Sequence, residues 1–281
     1  MRTNRIVVAA ASAVLALGGA VLTASAAQAD EPSAAHLVLQ DNEVWYKAAP
    51  GQVNHLTVAS DVRSNDDGSA DFLITFKDVV PISVDTDKCA YPAPDDHTVA
   101  LCTVLAPQNS DDTDDYDVDL GDGDDTAVID PASTAYATIH GGAGDDDLSG
   151  SDAVVFHGDA GDDTLDGGGG VWSMGPYGDD GDDTITHCAM DCYGGPGNDT
   201  LSGGDLNSEE SDNTLHGGPG DDVLYGNDGN DVLYGGDDND TLYGNAGDDQ
   251  LFGENGDDVL WGGPGTDTLD GGAGTNELHQ D

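Results

Sequence analysis

Carboxylates recur at a fixed spacing in the carboxyl-terminal part of this 281-residue chain. Asp222, Asp231, Asp240, Asp249, Asp258 and Asp267 lie nine residues apart, and Asn276 takes the next place. Carboxylates set out in this way are ligands for a hard cation. Calcium takes six to eight oxygens at about 2.3–2.6 Å, from carboxylates and carbonyls. The chain has 57 Asp and Glu against 6 Lys and Arg, a formal net charge of −51, and no Lys or Arg after Lys88. Its carboxylates therefore lack an internal counter-ion. They repel one another and oppose compaction.

The residues around each Asp show what must position it. From Gly217 the chain reads GGPGDDVLY, GNDGNDVLY, GGDDNDTLY, GNAGDDQLF, GENGDDVLW, GGPGTDTLD and GGAGTNELH. Position 1 is always Gly, position 6 is Asp in six of the seven units, and position 8 is always Leu. Glycines at positions 1 and 4 suit a loop that needs positive φ or close approach of backbones. Where Asp238 stands at position 4, Asp tolerates the left-handed region better than most residues. Positions 7 to 9 are short and β-prone. A three-residue strand sends its middle side chain to one face, so Leu at position 8 points inward. One unit cannot bury its Leu alone; stacked units can.

This repeat resembles the calcium-binding nonapeptide GGxGxDxUx of the hemolysin-type RTX family. The resemblance implies an all-β fold, a right-handed parallel β-roll with two nonapeptides per turn. Loop n then stacks on loop n+2, and calcium sits between stacked loops. The implied ligands include the position-6 carboxylates. Backbone carbonyls near Gly217, Gly220, Gly226, Gly229, Gly235, Gly244, Gly247, Gly253, Gly256, Gly262 and Gly265 complete the set. Successive turns lie roughly 4.8 Å apart, so one ion can bridge two of them.

Earlier units are less regular. Asp119 to Thr126 is an imperfect repeat, and better units begin at Gly141, Gly158, Gly178 and Gly194. They supply Asp146, Asp163, Asp183 and Asp199 at position 6, with Leu148, Leu165, Ile185 and Leu201 pointing inward. Between them lie degenerate units without the acidic residue. Loops on alternate sides would place the good units on one side. One calcium strip is thus expected along the whole roll and a second only in its carboxyl-terminal half. Residues 205–211 read as an insertion, after which Asn213 replaces the usual Asp.

Residues 1–29 read as an export signal: Arg2 and Arg5, an apolar run to Leu22, and Ala27-Gln28-Ala29 as the cleavage site. Cleavage moves the net charge to about −53. No later apolar run is long enough to span a bilayer. Residues 30–115 hold β-like runs, including Leu37-Val38-Leu39, Val44-Trp45-Tyr46, Leu56-Thr57-Val58, Phe72 to Phe76, Val79-Val80 and Val99 to Leu105. They predict a small all-β region that caps the roll of residues 116–281, since solenoids need covered ends. In an exported chain, Cys89 with Cys102 and Cys188 with Cys192 read as disulfides; a soft-metal site at His187, Cys188 and Cys192 is the competing reading.

Position 9 carries Tyr225, Tyr234, Tyr243, Phe252 and Trp261. These predict outward ladders, either packing across strands or stacking on a cell-surface polysaccharide. The eight His residues read as scattered surface or loop residues. The charge excludes nucleic acid as a partner. No GxSxG, HExxH or P-loop occurs, and the reading is non-catalytic: a secreted, extracellular, structural or adhesive protein with Ca2+ as its cofactor. A secreted toxin is the alternative, although no segment suits membrane entry. A hydrolase within residues 30–110 is the other.

Overall fold

A computed structural model of the chain describes residues 33–40, 43–106, 114–168, 174–204 and 212–280. The expected leader at 1–29 and the expected insertion at 205–211 lie outside these residues. Among the described residues every regular element is a strand, in two sheets of 12 and 13 strands. From Tyr116 onward, successive strands alternate between the sheets, and all pairing is parallel. The result is a parallel β-roll.

Register follows the nonapeptide. Val223, Leu224 and Tyr225 pair with Thr241, Leu242 and Tyr243 in one sheet. Val232, Leu233 and Tyr234 pair with Gln250, Leu251 and Phe252 in the other. Each partner is two units on, so a turn is two nonapeptides. Leu148, Leu165, Ile185, Leu201, Leu224, Leu233, Leu242, Leu251 and Leu260 are fully buried between the sheets. The expectation that every position-8 Leu points into a core fails at the end. Leu278 is 49% exposed, because it stacks on Leu260 from one side only.

The sheets run without a break through residues 115 and 116. Glu43–Lys47 and His55–Ser64 pair in parallel with Tyr116–Asp119 and Thr126–Ile129, so they form a turn of the roll themselves. Antiparallel strands then extend both sheets: Ala35–Gln40 beside Glu43–Lys47, Ala70–Lys77 beside His55–Ser64, and Val99–Leu105 beside Ala70–Lys77. The turn at Asn65 to Gly68 closes the hairpin, with the Gly68 amide donating to the Asn65 carbonyl at 3.1 Å. Phe76 lies between Tyr46 and Tyr116, with ring centroids 6.1 and 5.6 Å away, and all three are fully buried. Aromatic rings thus take the place of Leu in this part of the core.

The Val79-Val80 run is not a strand. It forms a bend before strand Ile82–Val84. The Val79 amide donates to its neighbour Asp78 Oδ1 at 2.6 Å, and Pro81 has no amide to offer a ladder. Disulfides join Cys89 to Cys102 and Cys188 to Cys192, so the soft-metal reading of the latter pair falls.

Candidate metal centre

The position-6 carboxylates form two continuous columns. In the longer, the backbone N–H of each residue donates to Oδ1 of its counterpart one turn on. Asp125 donates to Asp146, Asp146 to Asp163, Asp163 to Asp183, Asp183 to Asp199 and Asp199 to Asp222, at 2.7–2.8 Å. Asp222 donates to Asp240, Asp240 to Asp258, and Asp258 to Asn276, at 2.8–3.0 Å. The shorter column, on the other edge, runs from Asn213 through Asp231 and Asp249 to Asp267.

One oxygen of each carboxylate is therefore used by the backbone. The other is buried and has no hydrogen-bond partner among the described residues: Oδ2 of Asp125, Asp146, Asp163, Asp183, Asp199, Asp222, Asp231, Asp240, Asp249, Asp258 and Asp267. A buried carboxylate oxygen without a partner carries a large desolvation cost. Burial pushes the Asp222 carboxyl up to about 8, those of Asp146, Asp163, Asp199, Asp231 and Asp240 to about 7, and those of Asp183 and Asp249 to about 6. The amide at Oδ1 opposes this, and neighbouring carboxylates add to it.

Glycine makes the remaining space. A Cβ added at Gly217 would collide with Asp222 Oδ2 and come within 2.6 Å of the Gly235 carbonyl oxygen one turn on. Gly158, Gly178, Gly194, Gly226 and Gly244 repeat this arrangement with Asp163, Asp183, Asp199, Asp231 and Asp249. The position-1 glycine thus leaves open a spot bordered by a partnerless carboxylate oxygen and a stacked carbonyl. The donors are all oxygen, which suits calcium. Gly217, Gly226, Gly235, Gly244, Gly253 and Gly262 serve through close approach rather than positive φ. Position 2 takes the left-handed backbone instead, with Asn227 at φ 73° and Asn245 at 70°. At position 4, Gly220 (φ 137°), Gly229, Gly247 and Gly256 are left-handed, and Asp238 is too, at 81°. A Cβ on Gly220, Gly247, Gly256 or Gly265 would strike the backbone carbonyl of the turn before.

Both columns begin on neutral amides. Asn54 donates its backbone N–H to Asp125 Oδ1 at 2.6 Å. Its side chain donates to the Tyr46 hydroxyl at 2.6 Å and Asp78 Oδ2 at 3.0 Å, and Tyr46 also donates to Asp78. Asn213 starts the second column and donates from Nδ2 to the Cys188 carbonyl at 2.9 Å. The Cys188–Cys192 disulfide thus closes the turn on which that column begins.

Three features escaped the sequence reading. Asp125 belongs to the long column although Leu120, not Gly, fills position 1 of its unit. Position 5 forms a second, exposed ladder with the opposite direction: Asn198 donates to Asp182, Asp221 to Asn198, Asn239 to Asp221 and Asp257 to Asn239, at 2.8–3.0 Å. From Asp182 to Asp257 Asp and Asn alternate there, as is visible in the sequence, so two of those five rungs carry no charge, whereas the earlier rungs Asp124, Asp145 and Asp162 are all Asp. The third is histidine. His140, His157 and His216 are not scattered: they occupy position 9 and stack with Tyr177, Tyr193, Tyr234 and Phe252 in one continuous file, at 4.6–5.1 Å between centroids. In the other sheet Tyr225 stacks on Tyr243, and Trp261 on His279.

A family model of four copies of the RTX calcium-binding nonapeptide repeat matches residues 138–153, 150–171, 193–207, 209–242 and 243–278. No curated protein matches the chain. The period, the stacked carboxylates and the glycine-lined gaps agree with that match, and the chain belongs to the RTX calcium-binding repeat proteins.

Proposed function

We propose that this is a secreted structural or adhesive protein whose roll is assembled by calcium bound along the two carboxylate columns. The observation that carries the reading is the buried, partnerless Oδ2 on consecutive turns. Bound calcium supplies the positive charge that those oxygens and the stacked glycine carbonyls lack. The chain supplies the spacing: Oδ1 is fixed by an amide, the position-1 glycine keeps the gap open, and the buried Leu holds adjacent turns in register. Residues 30–115, with Asn54 at the head of the long column, provide a template for the next turn. Among the described residues no helix is long and apolar enough to cross a membrane.

The columns give a test. Asp240 lies inside its column, accepting from Asp222 and donating to Asp258. Asp267 ends its column and accepts only from Asp249. Asp240→Ala is expected to lower calcium stoichiometry and cooperativity more than Asp267→Ala in calorimetric titration. Each change removes one negative charge, so general repulsion does not distinguish them. Equal losses would overturn calcium binding by stacked position-6 carboxylates.

The adhesive part of the reading rests on the ring ladders, which offer flat faces for stacking on a cell-surface polysaccharide. Replacing Tyr243 and Trp261 by Ala is expected to abolish polysaccharide pull-down and leave calcium-induced folding intact. Loss of folding instead would make these rings internal packing of the sheet.

A further inference from the structure

The ring file contains one pair unlike the rest. His140 and His157 are adjacent rungs, in register on neighbouring strands, with centroids 4.9 Å apart and planes within 17°. Their Nδ1 atoms each meet a carboxylate from the next turn. His140 Nδ1 is 3.0 Å from Asp159 Oδ2, and His157 Nδ1 is 2.8 Å from Asp179 Oδ2. Asp159 and Asp179 are themselves in register, both held at position 2 with left-handed backbone, φ 71° and 69°. Candidate ligand atoms of His140, His157 and Asp159 all lie within 4.8 Å of one another, and the three residues are half-buried. On the adjoining strand, Asp119 pairs with His140 and adds negative charge.

We propose that His140, His157 and Asp159, with Asp179 beside them, form a site for a borderline divalent metal, Zn2+ in the first place, separate from the calcium columns. Imidazole nitrogen selects zinc, copper or nickel over calcium, which takes oxygen. Two imidazoles with one or two carboxylates are a common donor set for tetrahedral zinc. The strand spacing brings the two rings together, and the left-handed position-2 residues bring the carboxylates to their edges. The metal would take the place of the ring-to-carboxylate contacts at His140 and His157, and so clamp three turns at the amino-terminal end of the ring file.

His216 is the internal control. It stacks between Tyr193 and Tyr234 in the same file, but the residue at position 2 of the next turn is Gly236, which offers no carboxylate.

The experiment titrates Zn2+ into the full mature chain in saturating calcium, by calorimetry. One Zn2+ per chain is expected. Asp159→Asn should weaken it about tenfold or more, as loss of a ligand or its partner does. Replacing both His140 and His157 by Ala should abolish it, while His216→Ala should leave it unchanged. Circular dichroism in calcium checks that each variant is folded, and Asp159→Asn keeps the stacked rings if the double variant is not. Zinc uptake that is absent in the wild-type chain, or equal in Asp159→Asn and wild type, would overturn the site and assign any uptake to the general excess of carboxylates.

Discussion

In chelator at neutral pH the repeat region is expected to be expanded, and calcium is expected to fold it. The chain carries a formal net charge of −51 with no Lys or Arg after Lys88, and its inward carboxylates face one another along the two columns. At most one fully buried Leu or Ile per nonapeptide is a thin core against that repulsion. Calcium binds the stacked form and not the expanded chain, so its binding free energy becomes folding free energy. Affinity should fall in the range of extracellular modules, on the order of 10⁻⁴–10⁻³ M per site. Compact and unfolded chains differ about twofold or more in radius, so calcium should shrink the chain by a comparable factor while β-content rises. Small-angle scattering with circular dichroism across a calcium titration reads both quantities. A chain equally compact in chelator and in calcium would sink the proposal.

The sequence carried the roll almost whole because a solenoid repeats one local rule. A nine-residue period fixes the register, alternate loop sides fix two columns, and the missing acidic residues of the early units leave the second column short. The structure has that arrangement, from Asp125 to Asn276 on one edge and Asn213 to Asp267 on the other. What stayed hidden was whatever keeps the geometry without the residue type. Asn54 heads the long column, but its unit, residues 49–57, reads APGQVNHLT and lacks Gly at positions 1 and 4. Tyr46 and Asp78 hold the Asn54 side-chain nitrogen, while its Oδ1 is buried without a hydrogen-bond partner among the described residues, as the column Oδ2 atoms are. The histidines were missed because ring stacking admits imidazole as readily as phenol, so a search for Tyr, Phe and Trp sees only part of the file. Position-1 glycine was legible as a loop residue, yet its reason, space beside Oδ2, needed the turn above it.

Acid should do part of the work of calcium. In the folded roll, burial raises the column carboxyls, Asp222 to about 8, Asp163 and Asp240 to about 7, Asp183 and Asp249 to about 6. In the expanded chain they return towards the ordinary 3.8. Between those values the folded state holds more protons than the expanded one, so folding is favoured as pH falls and the benefit is lost as pH rises through 6 to 8. This is the reverse of the usual salt-bridged carboxylate, whose low folded value makes acid destabilising. A protonated Oδ2 also no longer repels the carboxylate one turn away. In chelator, β-content is therefore expected to be low at pH 7.5 and to rise as pH is lowered to about 5.5, still above the isoelectric point of about 4.1. In calcium the trend should invert, because ligand carboxylates must be deprotonated and protons compete for them. The calcium midpoint should move to higher concentration at pH 5.5 than at 7.5, while the calcium-free chain becomes more ordered. Circular dichroism at the two pH values, with and without calcium, separates these effects. A calcium-free chain whose β-content is flat or increases with pH over this range would show that the column carboxylates are not the groups that hold the roll open.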